Sequence, residues 1–132
     1  MSRGFVSYAL LLVAVGTLAS CSGTSSSGGA SEVAITGEVL ESVAGNLCAV
    51  KGHATNVGNL RVQVTISYEA RSATGMVIGT STASFQIASF SNFDFSFSKN
   101  NDQGQPSSGP FSNGLACSGI SSFRRANVDV TH

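Results

Sequence analysis

The sequence predicts an all-β fold, a small antiparallel β-sandwich of about six to seven strands. Three observations carry that expectation. Leu60-Arg61-Val62-Gln63-Val64-Thr65-Ile66-Ser67-Tyr68-Glu69 alternates apolar and polar residues without a break. Phe93, Phe95 and Phe97 recur at every second position, which a helix would scatter around its circumference. Between such runs lie short clusters of turn formers, Asn56-Val57-Gly58-Asn59, Arg71 to Gly75 and Ala88 to Ser91. A single sheet has no means of burying both Tyr68 and the phenylalanine row, so two packed sheets are expected.

In chain order, Val33 to Val39 reads as a first strand. Cys48-Ala49-Val50-Lys51-Gly52-His53-Ala54 alternates more weakly, with Lys51 and His53 outward. Leu60 to Glu69 is a half-buried strand with Leu60, Val62, Val64, Ile66 and Tyr68 inward. Ser81 to Ile87 alternates and extends back towards Val77. Asn92 to Ser98 carries the phenylalanines. At the end, Ala126, Val128 and Val130 share one face and Asn127 and Asp129 the other. Arg124-Arg125 breaks that alternation, which implies a bulge or a later strand start. No stretch carries a capped helical stripe.

The connection from Lys99 to Ala116 is long and polar, and loops of that length are often functional or mobile. Lys99, Asn100, Asn101, Asp102 and Phe111 are therefore candidate contact residues. Phe111, alone in polar surroundings, either offers an exposed contact or tucks beneath the loop; tucking is the favoured reading.

Composition narrows the chemistry. Charged residues make up only 11% of the chain, and seven Lys+Arg balance seven Asp+Glu, so no basic field exists for nucleic acid. The 42% hydrophobic content suffices for a core, so the chain is not disordered by composition. With two His and three Cys, and no H-x-x-H, CxxC or carboxylate cluster, neither a metal site nor a cofactor is expected. No G-x-S-x-G elbow, phosphate-cradling loop or Ser-His-Asp order is present, so an enzyme is not expected.

The N-terminus reads as an address. Arg3 precedes an apolar run from Phe5 to Val15, too short for a membrane-spanning helix of about 20 residues but suited to an export signal. Leu18-Ala19-Ser20-Cys21 follows and resembles the lipobox of bacterial lipoproteins. That resemblance implies a signal peptide over 1–20, cleavage before Cys21, a diacylglycerol thioether on its sulfur and an acylated (palmitate-type) amine. The mature protein would sit on the extracytoplasmic side of the cell membrane or outer membrane. Residues 21–31, rich in Ser and Gly, would be a flexible tether with a reach of roughly 15–20 Å. The folded domain then covers 32–132. Losing Arg3 leaves six Lys+Arg against seven Asp+Glu.

Within that domain, Val50-Lys51-Gly52-His53-Ala54-Thr55-Asn56-Val57-Gly58, the strand ending at Tyr68-Glu69, the turn at Gly75, Val77-Ile78-Gly79-Thr80 and Phe93-Asp94-Phe95 resemble the FxLYD-type immunoglobulin-like sandwich of bacterial surface lipoproteins. The likeness covers about half of the mature chain. It implies an immunoglobulin-like architecture and carries no catalytic site.

Setting Cys21 aside leaves Cys48 and Cys117, an even pair in an exported domain, and such pairs are usually oxidised. Their predicted positions, at the starts of the second and last strands, fall at one end of the sandwich. The alternative is two buried thiols. Taken together, the expectation is a non-catalytic interaction or structural module at the cell envelope with a protein or glycan partner. A small-ligand carrier or an enzyme inhibitor is the alternative, and a carrier requires an open pocket between the sheets.

Overall fold

The structure is a computed structural model that describes residues 32–132, so the expected signal peptide, Cys21 and the expected tether lie outside the described residues. Six strands form in order, β1 (Val33–Val43), β2 (Leu47–Asn56), β3 (Val62–Arg71), β4 (Val77–Ile87), β5 (Asn92–Phe95) and β6 (Ser122–Thr131). They make two three-stranded antiparallel sheets, β1-β2-β5 and β4-β3-β6, facing each other as a sandwich. Two connections are hairpins within a sheet, β1–β2 and β3–β4. The others, β2–β3, β4–β5 and β5–β6, cross between sheets, the Greek-key arrangement of immunoglobulin-like domains.

β3 is the central strand of its sheet, and its burial alternates strictly from Val62 to Ala70. Val62, Val64, Ile66, Tyr68 and Ala70 point inward as expected. Leu60 does not. It is exposed, because residues 57–61 are the crossing between the sheets and the strand starts only at Val62. Across the interior, Phe85 of β4 stacks on both Phe93 and Phe95 of β5, with ring centroids 5.0 and 5.1 Å apart. The phenylalanine row is shorter than the sequence implied. β5 stops at Phe95, because the backbone N–H and C=O of Ser96 turn to the Ser107 hydroxyl rather than a strand partner.

β1 extends past the expected end at Val39 to Val43 and carries a bulge between Thr36 and Val39. Gly37, at φ +68°, takes the left-handed conformation that such a bulge favours in glycine. β6 also has a bulge, where Ser67 pairs with Asn127 but Tyr68 pairs with Arg125, leaving Ala126 unpaired. The anomaly expected at Arg124-Arg125 thus sits one residue later.

Gly52 lies opposite Phe95 in the β2–β5 pair. A Cβ there would sit 2.7 Å from Phe95 Cζ and 3.2 Å from Glu38 Cγ. Gly→Ala in an unstrained strand gains up to about 1 kcal/mol by restricting the unfolded chain. Overpacking costs about 1–3 kcal/mol, and the Phe95 ring, stacked on Phe85, cannot step aside. Gly52→Ala is therefore expected to destabilise the domain, read as a lower urea midpoint at unchanged slope. An unchanged or raised midpoint would contradict the packing described.

Candidate functional site

Three clusters of polar side chains bear on function. The first is the Lys99–Ala116 connection. Lys99 Nζ stands 5.0 Å above the Phe93 ring, a cation–π contact. Asn100 bridges to Pro106. Asn101 Oδ1 accepts from the backbone N–H of Gln103 and Gln105, and its Nδ2 donates to Ser84 O at 2.8 Å. Asp102 pairs with Arg61. Further on, Ser84 N donates to Ser107 O, Gly109 N to Thr82 O and Ser108 N to Ser96 O. The segment ties the outer edge of β4 to the end of β5, so it is a clasp closing one flank of the sandwich. Phe111 is 2% exposed and its N–H donates to Cys48 O. It is an anchor of the loop and offers no surface for a partner.

The clasp ends near the disulfide. Cys48 and Cys117 are bonded. Cys48 stands at the start of β2 as expected, but Cys117 belongs to a 3-10 turn, Cys117–Gly119, ahead of β6. Ser121 N then donates to Arg71 O and starts the β3–β6 ladder.

The second cluster lies on the outer face of β1-β2-β5. Glu41, Lys51, His53, Asp94, Ser96 and Ser98, with Gly37, Gly52 and Phe95, line an open groove of about 390 Å³. His53 and Asp94 are direct cross-strand partners, and His53 Nδ1 lies 2.5 Å from Asp94 Oδ1. Ser96 and Ser98 hydroxyls are 3.2 Å apart and bond to each other. Among the described residues no hydrogen bond joins His53 to the Ser96 or Ser98 hydroxyls. Nor do the described residues bring three or more metal-ligating side chains together. The groove offers mixed charges and hydroxyls on a rigid sheet, which suits hydrogen bonding to a polar partner. The sequence placed Lys51 and His53 outward but left Asp94 and Glu41 unremarked. Alternation alone put Asp94 opposite the inward phenylalanines and was the available signal.

The third cluster sits at the flank opposite the clasp, where β1 and β6 face each other. The two bulges turn Glu38 and Arg125 towards the interior. Arg125 donates to Glu38 Oε1 at 2.6 Å and Oε2 at 3.0 Å, and Tyr68 Oη donates to Glu38 Oε2 at 2.5 Å. Burial pushes the Glu38 pKa up, but hydrogen bonds from Arg125 and Tyr68 and the charge of Arg125 outweigh it and hold the carboxyl below the usual range. Burial, then the hydrogen bond to Glu38 and its charge, push the Tyr68 phenol well above the tyrosine range. The three groups form a structural tie in which Glu38 is held as a carboxylate and Tyr68 as a neutral phenol at neutral pH.

The lowered Glu38 pKa carries a pH dependence. The folded state binds its proton less readily than the unfolded chain, so the stabilisation is complete above the unfolded carboxylate pKa of about 4.3 and is lost as pH falls through the lower folded value. Glu38→Gln is expected to cost about 1 kcal/mol at neutral pH, a modest figure because Arg125 is partly solvated. The gap between the two proteins should narrow at pH 3 in denaturant titrations. A constant gap would assign the loss to packing.

Comparison of the chain with models of known families, with curated proteins and with solved structures finds no match.

Proposed function

We propose that this chain is a lipid-anchored cell-envelope protein whose sandwich is a non-catalytic interaction or structural module, with a protein or glycan partner. The observation that carries the module reading is the filled interior. Phe85, Phe95, Ile66, Val64 and Tyr68 occupy the space between the sheets, which a small-ligand carrier would need open. Recognition then falls to the surface, and the groove of Glu41, Lys51, His53, Asp94 and Ser96 offers charged and hydroxyl groups to a polar partner. The strand order is compatible with the FxLYD-type likeness, which is part of the same proposal.

The anchor rests on Leu18-Ala19-Ser20-Cys21 and the apolar run before it. Among the described residues no helix is long and apolar enough to cross a membrane, and an anchored chain needs none. Expressed in a bacterial host, the wild type should sediment with membranes and carry a thioether diacylglycerol on Cys21 by peptide mass. Cys21→Ser should lose that modification and its cleavage. An unmodified Cys21 in the membrane-associated wild type would overturn the anchor. For the module, a photo-crosslinker at Lys51 should capture a discrete envelope component, and Asp94→Lys should abolish the capture. Crosslinking insensitive to that reversal would remove the groove as the contact surface.

A further inference from the structure

Two connections meet at the end of the sandwich where β1 begins. Phe90 N donates to Gly58 O, and Asn56 N donates to Ser91 O. From these two loops three large apolar side chains project into solvent, Phe90 at 72% exposed, Val57 at 58% and Leu60 at 54%. Phe90 is also held at φ +54°, a left-handed conformation that Gly or Asn occupies at less cost than a bulky aromatic. The fold thus carries backbone strain at Phe90 and gains no buried contact from its ring. That combination marks a residue kept for something outside the domain.

The position of the first described residue says what that is. Glu32 O accepts from Val57 N at 2.9 Å, so the chain enters the domain beside the apolar tip. Only residues 21–31 separate that point from Cys21, so an anchor there would hold this end of the sandwich nearest the membrane. The opposite end, with the β3–β4 turn and Met76, lies about 30 Å away along β3. Near the tip Arg61 pairs with Asp102 and Glu32 is hydrogen-bonded to the His132 ring, so these polar side chains already have partners within the domain.

We infer that Phe90, Val57 and Leu60 form a second membrane contact, in which this end of the sandwich seats in the interfacial region of the phospholipid surface that holds the anchor. The inference rests on the anchor proposed at Cys21. Exposed Phe and Leu side chains bury favourably at the boundary between headgroups and acyl chains, and that apolar insertion adds to the anchor. Seating fixes the orientation of the domain, with the β3–β4 turn and the disulfide end pointing away from the membrane.

The protein has no tryptophan, so a single introduced one reports alone. The full-length lipidated chain is reconstituted in phosphatidylcholine vesicles with Phe90→Trp or, as the distal control, Met76→Trp, a similarly exposed site at 67%. The tip reporter should show blue-shifted emission and be quenched by lipids brominated on the acyl chains. The distal reporter should show neither, and high salt should leave both results unchanged. A tip reporter that stays red-shifted and unquenched, while the protein still floats with the vesicles, overturns the contact and leaves the anchor standing. Failure to float overturns both. As a check on the strain, Phe90→Asn should melt at a higher temperature than the wild type. A lower melting temperature would mean that the ring serves the fold, and the inference would lose its first premise.

Discussion

Replacing Cys48 and Cys117 together by alanine is expected to lower the unfolding free energy by about 4 kcal/mol. The bond closes a loop of sequence separation 69. It removes the entropy of the denatured chain that such a loop would otherwise explore, and that saving grows with the logarithm of loop length. A domain of this size has a total stability of about 5–15 kcal/mol, so the variant would stand near the threshold of folding at 37 °C. The melting temperature should fall by roughly 15–30 °C. Cys48 is buried, but each substitution deletes only a sulfur. The folded state therefore forfeits little packing, and most of the effect comes from the unfolded state. Mass after alkylation without reductant should show neither thiol labelled in the wild type. A loss below about 1 kcal/mol would mean that the denatured chain is already held compact by other interactions.

The second large effect is expected at Asn56, which is buried at the last position of β2. Its Oδ1 accepts from Gly58 N at 2.9 Å. One Nδ2 proton reaches Leu60 O at 2.7 Å, and the longer contacts to Ala88 O at 3.2 Å and Ile87 O at 3.3 Å share the other. One side chain therefore ties both connections at this end to the rim of the core. Asn56→Ala leaves a donor and several carbonyls without a protein partner. Each such group costs about 1–3 kcal/mol when buried, but these loops lie near water, so the expected total is about 3 kcal/mol. Asn56→Asp should be worse at neutral pH, because a carboxylate donates nothing and faces three carbonyls. Its folded pKa would be raised, so part of the stability should return as pH falls through that value and the acid form regains a donor. If Asp were tolerated as well as Asn at pH 7, the tie would not be made by Nδ2.

Much of the fold was legible because a half-buried strand writes its burial directly into the sequence. Val62 to Ala70 is the clearest case, since both neighbours of β3 lie in the same sheet and one of its faces meets the core throughout. The reading failed where the chain changes sheets. Leu60 continues the alternation but belongs to a crossing, and Phe97 follows a strand that ends when Ser107 captures the backbone of Ser96. Long-range pairings left little trace. Arg125 and Glu38 lie 87 positions apart, and only the broken alternation at the arginines hinted at the second bulge. Asn56 was legible as a turn residue but not as the tie between two loops. The long connection was expected to be functional or mobile because of its length and polarity. Some of those same residues, Asn101 and Ser107, bond to the edge of β4.

The flank left open by the clasp has its own protection. Along β1 and β6 the bulges at Gly37 and Ala126 interrupt the regular spacing of backbone donors and acceptors. Both edges also turn a charge inward, Glu38 on one sheet and Arg125 on the other. A neighbouring strand needs an even row of partners, and it would have to break this ion pair to add to either sheet. The paired irregularities therefore act against polymerisation, and replacing the β1 bulge by a regular strand should make the domain form fibres at a lower protein concentration than the wild type, read by light scattering.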